Sequence, residues 1–184
     1  HAVEKVMEPL TEAKYQLEGY DLSQDKKKLV YCGSDFQGVE SLKQELVEID
    51  LATKEKTVLV PLATWNIHHV VYAGEKIVVT ATENKKYGIN ENANLYCYDR
   101  ENKKLQLISQ PDRSYYSSVG SVIGGKSMVG EEDGITYITT ERNWSKINHV
   151  SFDGMISSLT ADEGSVDCMD KKNGRLVYVA MRKT

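Results

Sequence analysis

The sequence predicts an all-β chain, a partial β-propeller of four-stranded antiparallel blades with about three full blades and incomplete blades at both ends. One observation is a repeat: Leu29-Val30-Tyr31-Cys32-Gly33, Ile77-Val78-Val79-Thr80-Ala81, Ile135-Thr136-Tyr137-Ile138-Thr139 and Leu176-Val177-Tyr178-Val179-Ala180 superpose without gaps. Their starts lie 48, 58 and 41 residues apart, close to the length of one blade. A second observation is the turn before each copy: Asp25–Lys28, Gly74–Lys76, Asp133-Gly134 and Asn173–Arg175. Asp-Gly and Asn-Gly accept positive φ at little cost and so favour tight hairpins. The third is the weakness of helical patterning, with only Val39–Leu46 long enough for about two turns and better placed in a loop.

Each repeated segment is rich in β-branched and aromatic residues and reads as a strand. Extended runs precede the four turns at Tyr15–Leu22, Ile67–Tyr72, Ser117–Val122 and Ser165–Met169, completing four inner hairpins. A second hairpin follows each of the first three: Glu45–Asp50 with Thr57–Val60, Leu95–Asp99 with Leu105–Ser109, and Ile147–Phe152 with Met155–Thr160 across Asp153-Gly154. Two successive hairpins make one blade. The expected division is therefore an outer strand of a preceding blade over 1–11, blades over 12–63, 64–110 and 111–160, and an inner hairpin over 161–184. The long third spacing calls for an insertion of about ten residues. Gly120–Glu132, between the first and second strands of the third blade, is expected to hold it as an irregular loop. Tyr31, Val79, Tyr137 and Tyr178 should point to equivalent sides and be mostly buried.

Composition narrows the function classes. The 184 residues carry 23 basic and 27 acidic side chains, a formal charge of −4, which argues against a nucleic-acid or anionic-membrane surface. Apolar runs such as Val58–Ala63 are far below the roughly 18 residues of a membrane span. Cys32, Cys97 and Cys168 show no Cys-x-x-Cys spacing and read as reduced strand residues of a cytoplasmic protein. The chain begins at His1, as expected of a piece of a longer protein.

Sites were sought against this background. Gly120-Ser-Val-Ile-Gly-Gly125-Lys126-Ser127 fits the phosphate-loop pattern, yet Met128–Gly134 runs into a strand where a helix should begin, so no nucleotide is expected. Strand alternation sends the His68 and His69 rings to opposite faces, His149 reads as isolated, and no Gly-x-Ser-x-Gly occurs. Lys85-Lys86, Lys103-Lys104 and Lys171-Lys172 read as solvated edge charges. Trp144 with Asn143, and Tyr87 with Asn84, lie in loops between second and third strands and read as exposed turn residues or as recognition loops. The triplet Asn143-Trp144-Ser145 fits a glycosylation sequon and reads as a chance match. The expected catalytic, cofactor-binding and metal-ligating residues are therefore none.

The hairpins Gly19–Tyr31 and Gly164–Ala180, the pair Leu95–Asp99 and Leu105–Ser109, and the Asp153-Gly154 turn leading to Leu159-Thr160 resemble propeller repeats of the prolyl oligopeptidase family, especially acylaminoacyl-peptidase-like members. TolB-like and WD-repeat propellers share some of these features. The resemblance implies an N-terminal propeller that gates peptide substrates to a C-terminal α/β-hydrolase domain carrying the catalytic serine, aspartate and histidine. No hydrolase motif is present in this sequence, so the chain itself is expected to be non-catalytic. The alternative is a propeller acting as a protein- or ligand-binding scaffold. Incomplete blades at the ends also lead to an expectation of self-association.

Overall fold

The computed structural model describes residues 7–111, 113–115, 125–161 and 164–181. Among them are three four-stranded antiparallel sheets and one two-stranded sheet. The first comprises β1 (Tyr15–Leu22), β2 (Lys28–Asp35), β3 (Glu45–Asp50) and β4 (Lys56–Val60), in that spatial order. The second comprises β5 (Asn66–Ala73), β6 (Lys76–Thr82), β7 (Asn94–Asp99) and β8 (Lys104–Ser109). The third comprises β9 (Met128–Gly130), β10 (Gly134–Glu141), β11 (Trp144–Ser151) and β12 (Ile156–Ser158). The hairpin of β13 (Ser165–Lys172) and β14 (Arg175–Met181) makes the fourth. The only helical element described is a single 3₁₀ turn at Gly88–Asn90, and residues 36–44 form a loop.

Strand order follows chain order in every sheet, the meander expected of a blade. The repeated segments all lie in second strands: β2, β6, β10 and β14. The inner turns use positive φ at Lys26, Gly74, Asn173 and Gly174. At Asn173 and Gly174 this is the Asn-Gly hairpin legible in the sequence.

Sheets stack face to face, and the side chains between them form the core. Val30, Cys32, Val70, Ile77 and Val79 pack between the first and second sheets. Val71, Val78, Met128, Ile135 and Tyr137 pack between the second and third. Ile138, Ile147, Val166 and Met169 join the third to the fourth. Alternation along each second strand thus sends one set of side chains to the preceding sheet and the other to the next. Tyr31, Val79, Tyr137 and Tyr178 share the first direction, as expected. Tyr31, Val79 and Tyr137 are buried, but Tyr178 is 36% exposed. Its strand pairs only with β13, so no third or fourth strand extends the sheet around its ring.

Three inner strands carry a bulge at one repeat position. Glu18 is skipped between Leu17 and Gly19, His68 between Ile67 and His69, and Asp167 between Val166 and Cys168. In the third sheet Ser114 pairs with Thr140, and Ile138 donates its N–H to the Ser127 carbonyl. By register Tyr115 matches Leu17 and Ser127 matches Gly19, so residues 116–126 occupy the place of one bulge residue. Eleven residues where the other blades have one account for the extra ten of the 58-residue spacing. The insertion therefore interrupts the inner strand instead of following it. The expected strand at Ser117–Val122 and the first six residues lie outside the described residues, while Met128–Gly130, expected as loop, is the strand β9. Met7 and Glu8, expected in an outer strand, are not in one.

Candidate functional site

The inner strands turn at one end of the stack, and their turns converge on a cavity of about 760 Å³. All four sheets contribute: Tyr20–Gln24 from the first, Val71, Tyr72 and Gly74 from the second, Met128–Asp133 from the third, and Asp170–Gly174 from the fourth. Propeller blades arranged around an axis leave a channel along their inner strands, and this cavity is its mouth. Tight approach sets its walls. A Cβ on Gly130 would stand 1.8 Å from the Tyr72 carbonyl oxygen, so only glycine lets β9 lie this close to β5.

Charged side chains line the mouth in pairs. Lys126 Nζ lies 2.9 Å from Asp170 Oδ1, and Lys171 Nζ 2.8 Å from Glu131. Asp21 accepts the Tyr72 N–H at 2.8 Å, joining the first sheet to the second. Burial holds the Asp21 carboxyl above the ordinary carboxylate range, against the lowering effect of its Tyr72 and Leu22 N–H donors. Burial acts the same way on Glu131, but hydrogen bonds from Lys171 and Thr136 outweigh it and hold that carboxyl low.

His149, expected to be isolated, is instead bracketed by carboxylates. Its Nδ1 is 3.3 Å from Glu131 and its Nε2 3.7 Å from Asp133, and the three side chains bring one donor atom each within 4.8 Å of one another. As a metal site the set fits poorly. Glu131 and Asp133 face different ring nitrogens, only one of which an ion can take, and the Lys171 ammonium already lies against Glu131. Thr136 donates to Glu131 and sits 3.2 Å from His149, so the group acts as a polar bridge from the third sheet to Lys171 of the fourth. Alternation alone could not reveal it, because Lys171 comes from 40 residues away.

The other residues singled out from the sequence fall as follows. His69 turns toward the third sheet, with Nδ1 3.0 Å from Thr80 and Nε2 3.4 Å from Ser127. Burial pushes the His69 imidazole down to about 4. His68 is the bulge residue, so the two histidines do not follow simple alternation. Of the phosphate-loop pattern, residues 120–124 lie outside the described residues. Lys126 bridges to Met169 and leads into β9, so a strand follows it. The three cysteines are free thiols on β2, β7 and β13, and burial pushes Cys32 up to about 12. Tyr87 is exposed beside the 3₁₀ turn, whereas the Ser145 hydroxyl is buried against the Val166 backbone.

No protein-family model matches the sequence, and no curated protein matches it. Solved structures do. The puromycin hydrolase S511A mutant complexed with PGG superposes over 94% of this chain with a TM-score of 0.70 at 13% identity. The β-propeller domain of the Trilobed protease from Pyrococcus furiosus matches 91% at a TM-score of 0.53 and 14% identity, covering 63% of that chain. Prolyl oligopeptidase B from Galerina marginata matches 88% at 0.54 and 15% identity, covering 22% of its own length. This chain spans about a quarter of the puromycin hydrolase, 26% of it. Likeness at such low identity establishes architecture, and with the sheet order and inner-strand cavity above it leads to one conclusion: the chain is a partial β-propeller.

Proposed function

We propose that the chain is the propeller portion of a cytoplasmic serine oligopeptidase of the prolyl oligopeptidase family, gating peptide access to an α/β-hydrolase domain. Superposition on puromycin hydrolase over 94% of the chain is the observation that carries this reading. The resemblance of the inner hairpins to that family's repeats supports it. In this role the chain supplies a rigid wall and a narrow channel and contributes no reacting group. Tightly packed inner strands resist spreading, so a short, flexible peptide passes where a folded protein does not.

The test uses a full-length parent with a disulfide engineered between neighbouring inner strands. Slower cleavage of long peptides, with a small ester substrate unaffected, is the expected result. Equal slowing of both, or a parent without hydrolase activity, would replace gating by the binding-scaffold reading.

A further inference from the structure

We infer that the outward face of the β13–β14 hairpin docks on the outward face of the first sheet of a second copy of this chain, head to tail. The inference rests on the propeller architecture alone and is independent of any peptidase activity. Repeat register identifies what each face is built to meet. Val177 and Val179 are the counterparts of Val30 and Cys32. The latter pair is 0% exposed beneath the second sheet, whereas Val177 is 70% and Val179 57% exposed. The side chains that cover Val30 and Cys32 include Val70, Tyr72, Ile77 and Val79. Their counterparts in the first sheet are Tyr20, Leu22, Leu29 and Tyr31, on the face turned away from the second sheet. There Tyr20 is 64% exposed and Leu22 is exposed. The two outward faces thus repeat, position by position, the two halves of a junction that this chain already buries within itself.

The polar contact at that junction has a counterpart too. Asp21 pairs with Val30 in register, as Asp170 does with Val177. Each carboxylate accepts the N–H of the following residue, Leu22 or Lys171. Asp21 uses its second oxygen to take the Tyr72 N–H of the next sheet. Asp170 stands in the same place on the exposed face. Beside it lies an open hollow of about 550 Å³, lined by Asp170, Arg175 and Val177 among others, large enough for an aromatic anchor such as Tyr20. Two copies joined this way bring eight blade positions to one ring, within the range of about four to eight that propellers adopt.

Sedimentation velocity of this chain over a concentration series tests the inference. The expected result is a two-copy species that Val177→Asp and Tyr20→Asp each weaken by roughly tenfold or more, while the exposed outer-strand control Val58→Asp leaves it intact. Far-UV circular dichroism shows that each variant keeps the fold, since all three positions are exposed. The decisive arm mixes the two weakened variants: Val177→Asp keeps one face and Tyr20→Asp keeps the other. Recovery of a heterodimer in the mixture is expected for a head-to-tail contact. A wild-type chain that stays monomeric throughout, Tyr20→Asp copies that still self-associate, or a mixture without recovery would each overturn it.

Discussion

The junction between the first and second sheets and the junction between the third and fourth solve one packing problem with different materials. At the first, large apolar side chains from both sheets close over Val30 and Cys32, and Trp65 and Tyr96 extend the packing outward. One polar clamp reinforces it: Glu48 accepts the Tyr72 hydroxyl at 2.9 Å, a two-pronged contact from Arg100 and a longer one from Lys28. At the other junction only Ile138, Ile147, Val166 and Met169 are buried together. Polar links take a larger share there: Ser145 to the Val166 backbone, Met169 N–H to the Lys126 carbonyl, and Lys171 to Glu131. The hairpin presents fewer apolar side chains, so directional bonds carry more of the attachment. Such bonds contribute about 1 kcal/mol each, against about 1.5–3 kcal/mol for burial of a large apolar side chain. The fourth sheet should therefore open before the others.

The largest expected effect follows from apolar packing. Ile77→Ala should lower unfolding free energy by about 3–4 kcal/mol, and Met169→Ala by about 2 kcal/mol, because the thinner junction has less to lose. Chemical denaturation measures both. Native-state hydrogen exchange should show the amides of β13 and β14 exchanging through openings that leave β5 and β6 protected. Equal protection in the two regions would break the comparison.

The next effect concerns the middle junction. His69 has a folded-state pKa near 4, set by burial, below its unfolded value of about 6.5. The unfolded chain therefore binds the extra proton first, and stability should fall as pH drops from about 6.5 to 4, by up to about 3 kcal/mol. His69→Gln should remove that slope, as thermal melts across this range would reveal.

Glu48 sharpens the contrast at lower pH. Burial raises its pKa, but the hydrogen bonds from Arg100 and Tyr72 outweigh that and hold it below the ordinary value. Its contribution is thus present above the unfolded carboxyl pKa and lost as pH falls through the folded one. Glu48→Gln should cost about 1–2 kcal/mol near neutrality, discounted because Arg100 is half exposed, and should flatten the acid limb below about pH 4.5. The smallest effect is expected at Lys126→Ala. Its ion pair with Asp170 is exposed on both sides, and removing it should change stability by no more than about 0.5 kcal/mol. A loss above 1 kcal/mol would mean that the fourth sheet depends on that pair.

Much of the fold was legible because it is encoded locally. β1 runs from Tyr15 to Leu22 as the apolar pattern indicates, and the second strands lie where the repeat places them. The insertion was legible in size but not in position. Its length follows from the spacing of the repeats, whereas its place depends on Ser114 pairing with Thr140 while Ile138 bonds to Ser127. No local propensity distinguishes a bulge that has grown from a loop that follows a strand.

What the sequence determined by itself was strand identity, hairpin order and the face each side chain takes, since these follow from period-two alternation and from turns of a few residues. Tertiary structure alone decided which ionisable groups meet. Arg100 reaches Glu48 across 52 positions, and Lys171 joins Glu131 and the histidine beside it across 40. It also decided that Tyr178 remains partly exposed although its counterparts Tyr31 and Tyr137 are buried. The physical reason is common to both. Alternation assigns a side chain to one face of a sheet, but burial and charge pairing depend on what the neighbouring sheet brings against that face.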